Sequence, residues 1–204
     1  MSAEILICNA ALREASLNTI ASFDEESTEA RACKLFYPKV RDEVLRAHPW
    51  NFAQKLRTLA LLELPDAYDE FKYAYSYPND CLRINKVRDP LHREAQPFEI
   101  MRHPDQDVMV ILTDAPNAIA KYTVATENPD IFDAAFERAL TLSLSSRLAA
   151  GLRKDGKAEQ ALYQKYMNVL DYARVSDEEE AKDTGREAIP WLNARLGFGE
   201  DKEL

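Results

Sequence analysis

His48-Pro49-Trp50-Asn51-Phe52-Ala53-Gln54-Lys55 is the stretch on which the fold turns. Before it, apolar residues recur at helical spacing. After it the rhythm shortens to two: Phe52, Gln54, Leu56, Thr58 and Ala60 share one side, and Ala53, Lys55, Arg57, Leu59 and Leu61 the other. The chain therefore passes from helix to strand across a Pro-Trp corner. Trp50, Asn51 and Phe52 read as a structural hinge, because rings of this size bury ~150–250 Å² each and would pin the helix to the first strand. The alternative for Trp50 is a direct contact with a partner.

Upstream, Ile5, Cys8, Asn9 and Leu12 predict a short amphipathic helix with an amide on its inner face. That amide needs partners, either backbone groups of the following loop or a ligand, since burying it unpaired costs ~1–3 kcal/mol. Ser27 is the expected N-cap of a second helix, with Glu29 in its first turn. Ala30, Cys33, Tyr37, Val40, Val44 and Leu45 trace its inner face to about Ala47. Pro38 lies inside this run and predicts a kink or a displaced boundary near Tyr37, because proline lacks the donor and clashes with the preceding turn.

Downstream, Phe71 to Tyr77 alternates and is rich in aromatics. Strands are expected there, at about Leu82 to Arg88, and at Phe98 to Arg102, Asp107 to Leu112 and Ile119 to Ala125. Turn residues separate them, among them Pro78-Asn79-Asp80 and Asp114-Ala115-Pro116-Asn117. Asn128-Pro129-Asp130 signals a return to helix, with Asn128 as cap. Phe132, Phe136, Leu140, Leu144 and Leu148, with Ala135, Ala139, Leu142 and Ala149 beside them, make a face too wide for a surface helix. This is the expected central core helix. Its Ser143, Ser145 and Ser146 either meet a neighbouring helix or bond back to their own carbonyls. After Asp155-Gly156, the stripe Ala158, Leu162, Tyr166, Val169 and Ala173 predicts a partner helix folding back as an αα-hairpin. It is expected to dissolve into the charged run Ser176 to Asp183.

The fold class expected is α+β, an antiparallel helical bundle with an inserted, mostly antiparallel β subdomain. Residues 1–62 and 128–184 form the helical bundle with the first extended strand, 63–127 the β subdomain and 185–204 a C-terminal arm. That arm holds Trp191, Leu192, Leu196 and Phe198, which either lie back on their own domain or order on a partner. With Tyr73, Tyr75 and Tyr77 they are the candidate interface residues.

Composition bounds the function. The 204 residues suit one domain, or one domain carrying a subdomain, and 46 % apolar residues suffice for a core. A net charge of -9 argues against broad binding of duplex phosphates, which rests on clustered Lys and Arg. Acidic walls suit a channel through which nucleic acid slides without sticking; the alternative is that the acidity serves merely solubility. Cys8, Cys33 and Cys81 are odd in number and far apart in sequence, so neither a disulfide framework nor a zinc site is indicated. No basic leader segment or long apolar run is present, and a cytoplasmic protein without membrane contact is expected. The five glycines form no phosphate loop, and the three histidines show no metal spacing. No nucleophile elbow occurs. No catalytic, cofactor-binding or metal-binding residues are assigned.

Three motifs fall in a telling order: Cys8-Asn9-Ala10-Ala11-Leu12; Arg41-Asp42-Glu43-Val44-Leu45-Arg46-Ala47-His48-Pro49-Trp50-Asn51-Phe52-Ala53; and Tyr77-Pro78-Asn79-Asp80-Cys81-Leu82-Arg83-Ile84. In this order the chain resembles the tail tubular protein A family of short-tailed phages, over residues 4 to about 175. Arg13-Glu14-Ala15-Ser16 and Pro38 depart from the family pattern. The resemblance implies a head-to-tail adaptor, a helical bundle with a β extension. It implies a ring, usually of twelve copies, between the portal protein and the tail nozzle protein, with DNA passing through the lumen. The location implied is the virion tail, and the host cytoplasm during assembly. A competing expectation from another class is a hydrolase of cell-surface polysaccharide, which would need two converging carboxyl groups.

Overall fold

A computed structural model of the chain describes residues 2–63, 70–91, 94–104 and 106–183. Each of the four α-helices among them opens on a side-chain cap. Ser2 Oγ accepts from the Ile5 N–H at the start of α1 (Ala3–Glu14), and Ser27 Oγ from the Ala30 N–H at the start of α2 (Thr28–Ala47). Asp133 accepts from the Phe136 N–H at 2.7 Å to open α3 (Ala134–Leu148), and Asp155 from the Ala158 N–H at 3.0 Å to open α4 (Gly156–Asp183). Caps of this kind are worth ~0.5–2 kcal/mol each and fix where the helices begin.

The helices gather around α3, on which α1, α2 and α4 all pack. Phe136, Ala139, Leu140, Leu142, Leu144 and Leu148 of α3 are buried in one cluster with Leu12, Val40, Leu45 and Leu170. Asn9 tethers the loop after α1 to this core. Its Nδ2 donates to the Ile20 carbonyl at 2.9 Å and its Oδ1 accepts the Ile20 N–H at 2.8 Å. Ser145 Oγ bonds back to the Leu142 carbonyl at 2.8 Å. Cys8 and Cys33 are free, buried thiols brought side by side where α1 meets α2. A hydrogen bond to Cys33 and burial push the Cys8 thiol far above its ordinary range, so it is inert.

The β region holds two antiparallel sheets. The first has the order β1 (Gln54–Thr58), β7 (Ile119–Val124), β4 (Cys81–Arg88). The second has the order β2 (Leu61–Leu62), β3 (Tyr73–Ser76), β6 (Met109–Thr113), β5 (Phe98–Arg102). Tyr75 and Ile111 of the second sheet join Ile84, Val87, Ala120 and Tyr122 of the first in a second core. The fold class is therefore α+β.

Several expectations need correction. Asn51–Ala53 form a 3-10 turn and β1 starts only at Gln54. The Ala53 N–H bonds to the Trp50 carbonyl at 3.0 Å, closing the turn before pairing begins. β1, grouped on sequence with the helices, pairs with β7 from Gln54↔Thr123 to Thr58↔Ile119 and so belongs to the sheets. Of the two outcomes expected at Pro38, a displaced boundary does not occur: α2 runs through it, the ring on the exposed face and Tyr37, Val40 and Arg41 on the buried one. The Asn128-Pro129-Asp130 signal opens a single 3-10 turn, and Asp133 caps α3 itself. At its far end α3 passes into a π-helical turn, Ala149–Arg153, which Lys154 closes at φ 51°. α4 does not dissolve at Ser176 but carries the charged run to Asp183.

Asn9→Ala removes two hydrogen bonds from one buried backbone pair, so a loss of about 1–3 kcal/mol is expected. Urea unfolding with an unchanged m-value checks it.

Candidate functional site

The corner that opens the sequence reading is where helices and sheets are joined. The backbone turns at Ala47, the last residue of α2, and Trp50 folds back so that its indole Nε1–H donates to the Val44 carbonyl at 2.9 Å. That bond occupies a carbonyl in the last turn of α2, which has no helical partner. The Trp50 ring meets Phe136 edge-on at 5.3 Å, and His48 edge-on at 4.8 Å. Phe52 lies 5.1 Å from Phe136 and 5.6 Å from Phe132, and those two are 4.6 Å apart. Phe132 precedes α3 and Phe136 sits in its first turn, so four rings from two distant stretches form one cluster. Asn51, the third hinge residue, is exposed; its carbonyl accepts the Gln54 N–H and so ends the turn where β1 begins.

Polar bonds extend the junction. Arg83 of β4 donates to the Arg46 carbonyl at 3.1 Å, linking sheet to α2. The buried Arg41 guanidinium pairs with Asp42 at 2.9 Å and reaches Glu127, beyond β7, at 3.6 Å. Asp80 accepts from Lys55 Nζ at 2.8 Å and from the Tyr122 hydroxyl at 3.0 Å, tying β1, β4 and β7 at one point. The Lys55 ammonium, aided by Tyr122, holds the Asp80 carboxyl below the ordinary carboxylate range. Asn85 donates to Gln54 at 3.0 Å and to Thr123 at 2.9 Å, the next rung of the same sheet.

The other sequence-predicted residues fall elsewhere. Tyr75, expected as a candidate interface residue, is buried, its hydroxyl donating to the Ala115 carbonyl at 2.8 Å, so in the single chain its side chain serves the core and not the surface. A tyrosine on the inward face of a strand between two sheets serves the core. Tyr73 is half-buried beside it, ring centroids 6.3 Å apart. Tyr77 is half-buried and accepts a hydrogen bond from the Cys81 thiol at 3.2 Å. Burial raises the Tyr77 phenol above its ordinary range, with Cys81 adding to it. Trp191, Leu192, Leu196 and Phe198 lie outside the described residues.

Among the clefts on the described surface are two of about 250 Å³ each. One lies along α2 and is lined by Glu4, Phe23, Cys33, Lys34, Tyr37, Pro38, Arg41 and Glu127. Its two carboxylates share it with two cations, and its Tyr37 hydroxyl is buried with no hydrogen-bond partner. The other lies on the outer face of the first sheet and is lined by Leu56, Lys86, Arg88, Ile119 and Lys121. Among the described residues no three His, Cys, Asp or Glu side chains come together to hold a metal ion. No helix among them is long and apolar enough to cross a membrane.

Neither models of known protein families nor curated proteins yield a match to this chain.

Sequence reasoning placed Trp50 and Phe52 at the corner and Phe132 and Phe136 on the α3 face, but not together. Their meeting depends on how α3 docks after an excursion of some eighty residues. Asp80 was read only as a turn residue. Its partners, Lys55 and Tyr122, become neighbours through strand pairing that local pattern does not encode.

The Asp80 contact gives a signed pH dependence. A carboxyl depressed on folding adds stability in full above its unfolded value of about 3.9, and that stability is lost as pH falls through the lower folded value. Wild type is therefore expected to exceed Asp80→Asn in urea midpoint at neutral pH, with the gap closing below about pH 4. Paired unfolding curves across that range check it.

Proposed function

We propose that this chain is a structural head-to-tail adaptor of a short-tailed phage or prophage. It works as one subunit of a ring set between portal and tail nozzle, and DNA passes through the lumen without specific binding. The resemblance implies helices carrying a β extension for this role, and the α+β fold supports it. The chain acts by shape and catalyses no reaction. Its place is the virion tail, and the host cytoplasm while tails assemble.

One observation carries this reading. The two longest motifs of the resemblance, ending at Ala53 and beginning at Tyr77, meet at the same junction. Arg83 reaches Arg46, Asp80 reaches Lys55, and Leu82 packs against the cluster that contains Trp50. A junction held at several points fixes the angle between helices and sheets. In a ring that angle repeats in every subunit, and heterologous contacts close only when the rotation is right. The acidic balance of the chain suits a lumen that does not hold DNA.

Sedimentation and electron microscopy of the purified chain, alone and with a portal ring, are expected to show closed rings in at least one condition. A species that stays monomeric and never binds portal would contradict the proposal. Deleting residues 186–204 is expected to leave the circular dichroism spectrum intact and to weaken ring or portal binding; normal assembly of the truncated chain would remove the arm from the interface.

A further inference from the structure

The cleft along α2 holds a polar atom that the fold leaves unpaired. Four parts of the chain wall this cleft: Glu4 in the first turn of α1, Phe23 in the loop that follows, Tyr37 and Pro38 of α2, and Glu127 between β7 and α3. Tyr37 is only 3 % exposed, and its hydroxyl has no hydrogen-bond partner. Among the described residues no other buried side-chain nitrogen or oxygen is in that position. Buried polar groups in folded proteins are paired, so an orphan on the wall of a cleft marks the place of a missing partner. The same helix offers a further acceptor there. Pro38 has no N–H to give to the Lys34 carbonyl four residues before it, and both residues line the cleft.

Charge decides what that partner is. Both cations of the cleft are claimed already: Lys34 Nζ pairs with Asp24 at 3.0 Å and Arg41 with Asp42 at 2.9 Å. Its carboxylates are less well served. Glu4 makes no ion pair among the described residues, and Glu127 stands 3.6 Å from the guanidinium that Asp42 holds. Burial, and next the Glu4 charge, hold the Tyr37 phenol above its ordinary range, so the hydroxyl stays neutral within the field of that carboxylate. The cleft therefore offers acceptors and negative charge beside the apolar surface of Phe23 and Pro38. A carboxylate or phosphate would face Glu4 and Glu127 and find Arg41 taken. An ammonium brings three donors, no acceptor and one positive charge, and an alkyl stem lies along apolar walls while its head stays among polar groups.

We propose that the α2 cleft binds a primary alkylammonium group, with its head at Tyr37 Oη and Glu4 and its stem against Phe23 and Pro38. A volume of about 250 Å³ leaves room for a stem of lysine length. Two sources supply this chemistry, a free alkylamine and a lysine side chain of a partner protein. The inference goes beyond the adaptor reading and does not rest on it, because the cleft is complete within one chain.

The test titrates the full-length ¹⁵N-labelled chain with n-butylammonium chloride and, at the same ionic strength, with 1-butanol. The amide signals of Phe23, Cys33, Lys34 and Tyr37 are expected to shift saturably with the amine and about tenfold more weakly with the alcohol, which lacks the charge. Tyr37→Phe is expected to weaken amine binding about three- to tenfold, and to leave the urea midpoint of the free protein unchanged or raised, because it deletes an unpaired group. Glu4→Gln, at a half-buried position, is expected to weaken binding by roughly tenfold. Nα-acetyl-lysine N-methylamide separates the sources: tighter binding than n-butylammonium assigns the cleft to a lysine of a partner protein, weaker binding to a free amine. Equal shifts with amine and alcohol, or none, would overturn the inference. So would a Tyr37→Phe chain that binds the amine as wild type does and unfolds at lower urea, since the hydroxyl would then serve the fold through a water molecule.

Discussion

The rest of the structure depends on the contact of Trp50 and Phe52 with Phe132 and Phe136. Pairs of rings at these edge-on and tilted angles are worth ~0.5–1.5 kcal/mol each beyond the area they bury. Here they are linked in a chain, so that no ring can turn without disturbing the next. The Trp50 indole bond to Val44 adds direction to what packing alone would leave free, since it fixes one edge of the ring to the end of α2. Helices and sheets meet through this cluster, and the bonds from Arg83 and Arg41 brace it from two sides.

Much of this was legible in the sequence because it is local. A period of 3.6 or 2 declares a helix or strand, and Ser27 and the turns before β4 and β7 declare boundaries. The strands at Phe98–Arg102 and Ile119–Val124 lie almost where alternation put them. Asn9 satisfies loop backbone, as an amide on a helix face beside a loop should. Elsewhere a local signal did not decide the outcome. Pro38 lies inside α2 on its exposed face and does not end the helix. The charged end of α4 is helical although nothing in its composition places it against a core.

Other features could not be read because they exist only once strands are paired. Lys86, Arg88 and Lys121 are scattered cations along the chain and one basic face in the sheet. Tyr75 looked like its neighbours Tyr73 and Tyr77 in an aromatic run, yet it is the one whose hydroxyl is buried against Ala115. Which face of β3 turns inward is settled by packing against the first sheet, whose Ile84, Val87, Ala120 and Tyr122 share a core with Tyr75, and the run itself does not mention it.

The account stands on a fixed angle between helices and sheets. Spin labels at Thr58 of β1 and Glu159 of α4, both exposed, in a Cys81→Ser background and diluted with unlabelled chain, report that angle as a distance distribution. A single narrow distribution is predicted for the wild-type corner, broadening when Phe52 is replaced by alanine. A distribution that is already broad with Phe52 in place, or one that Phe52→Ala leaves unchanged, would contradict it.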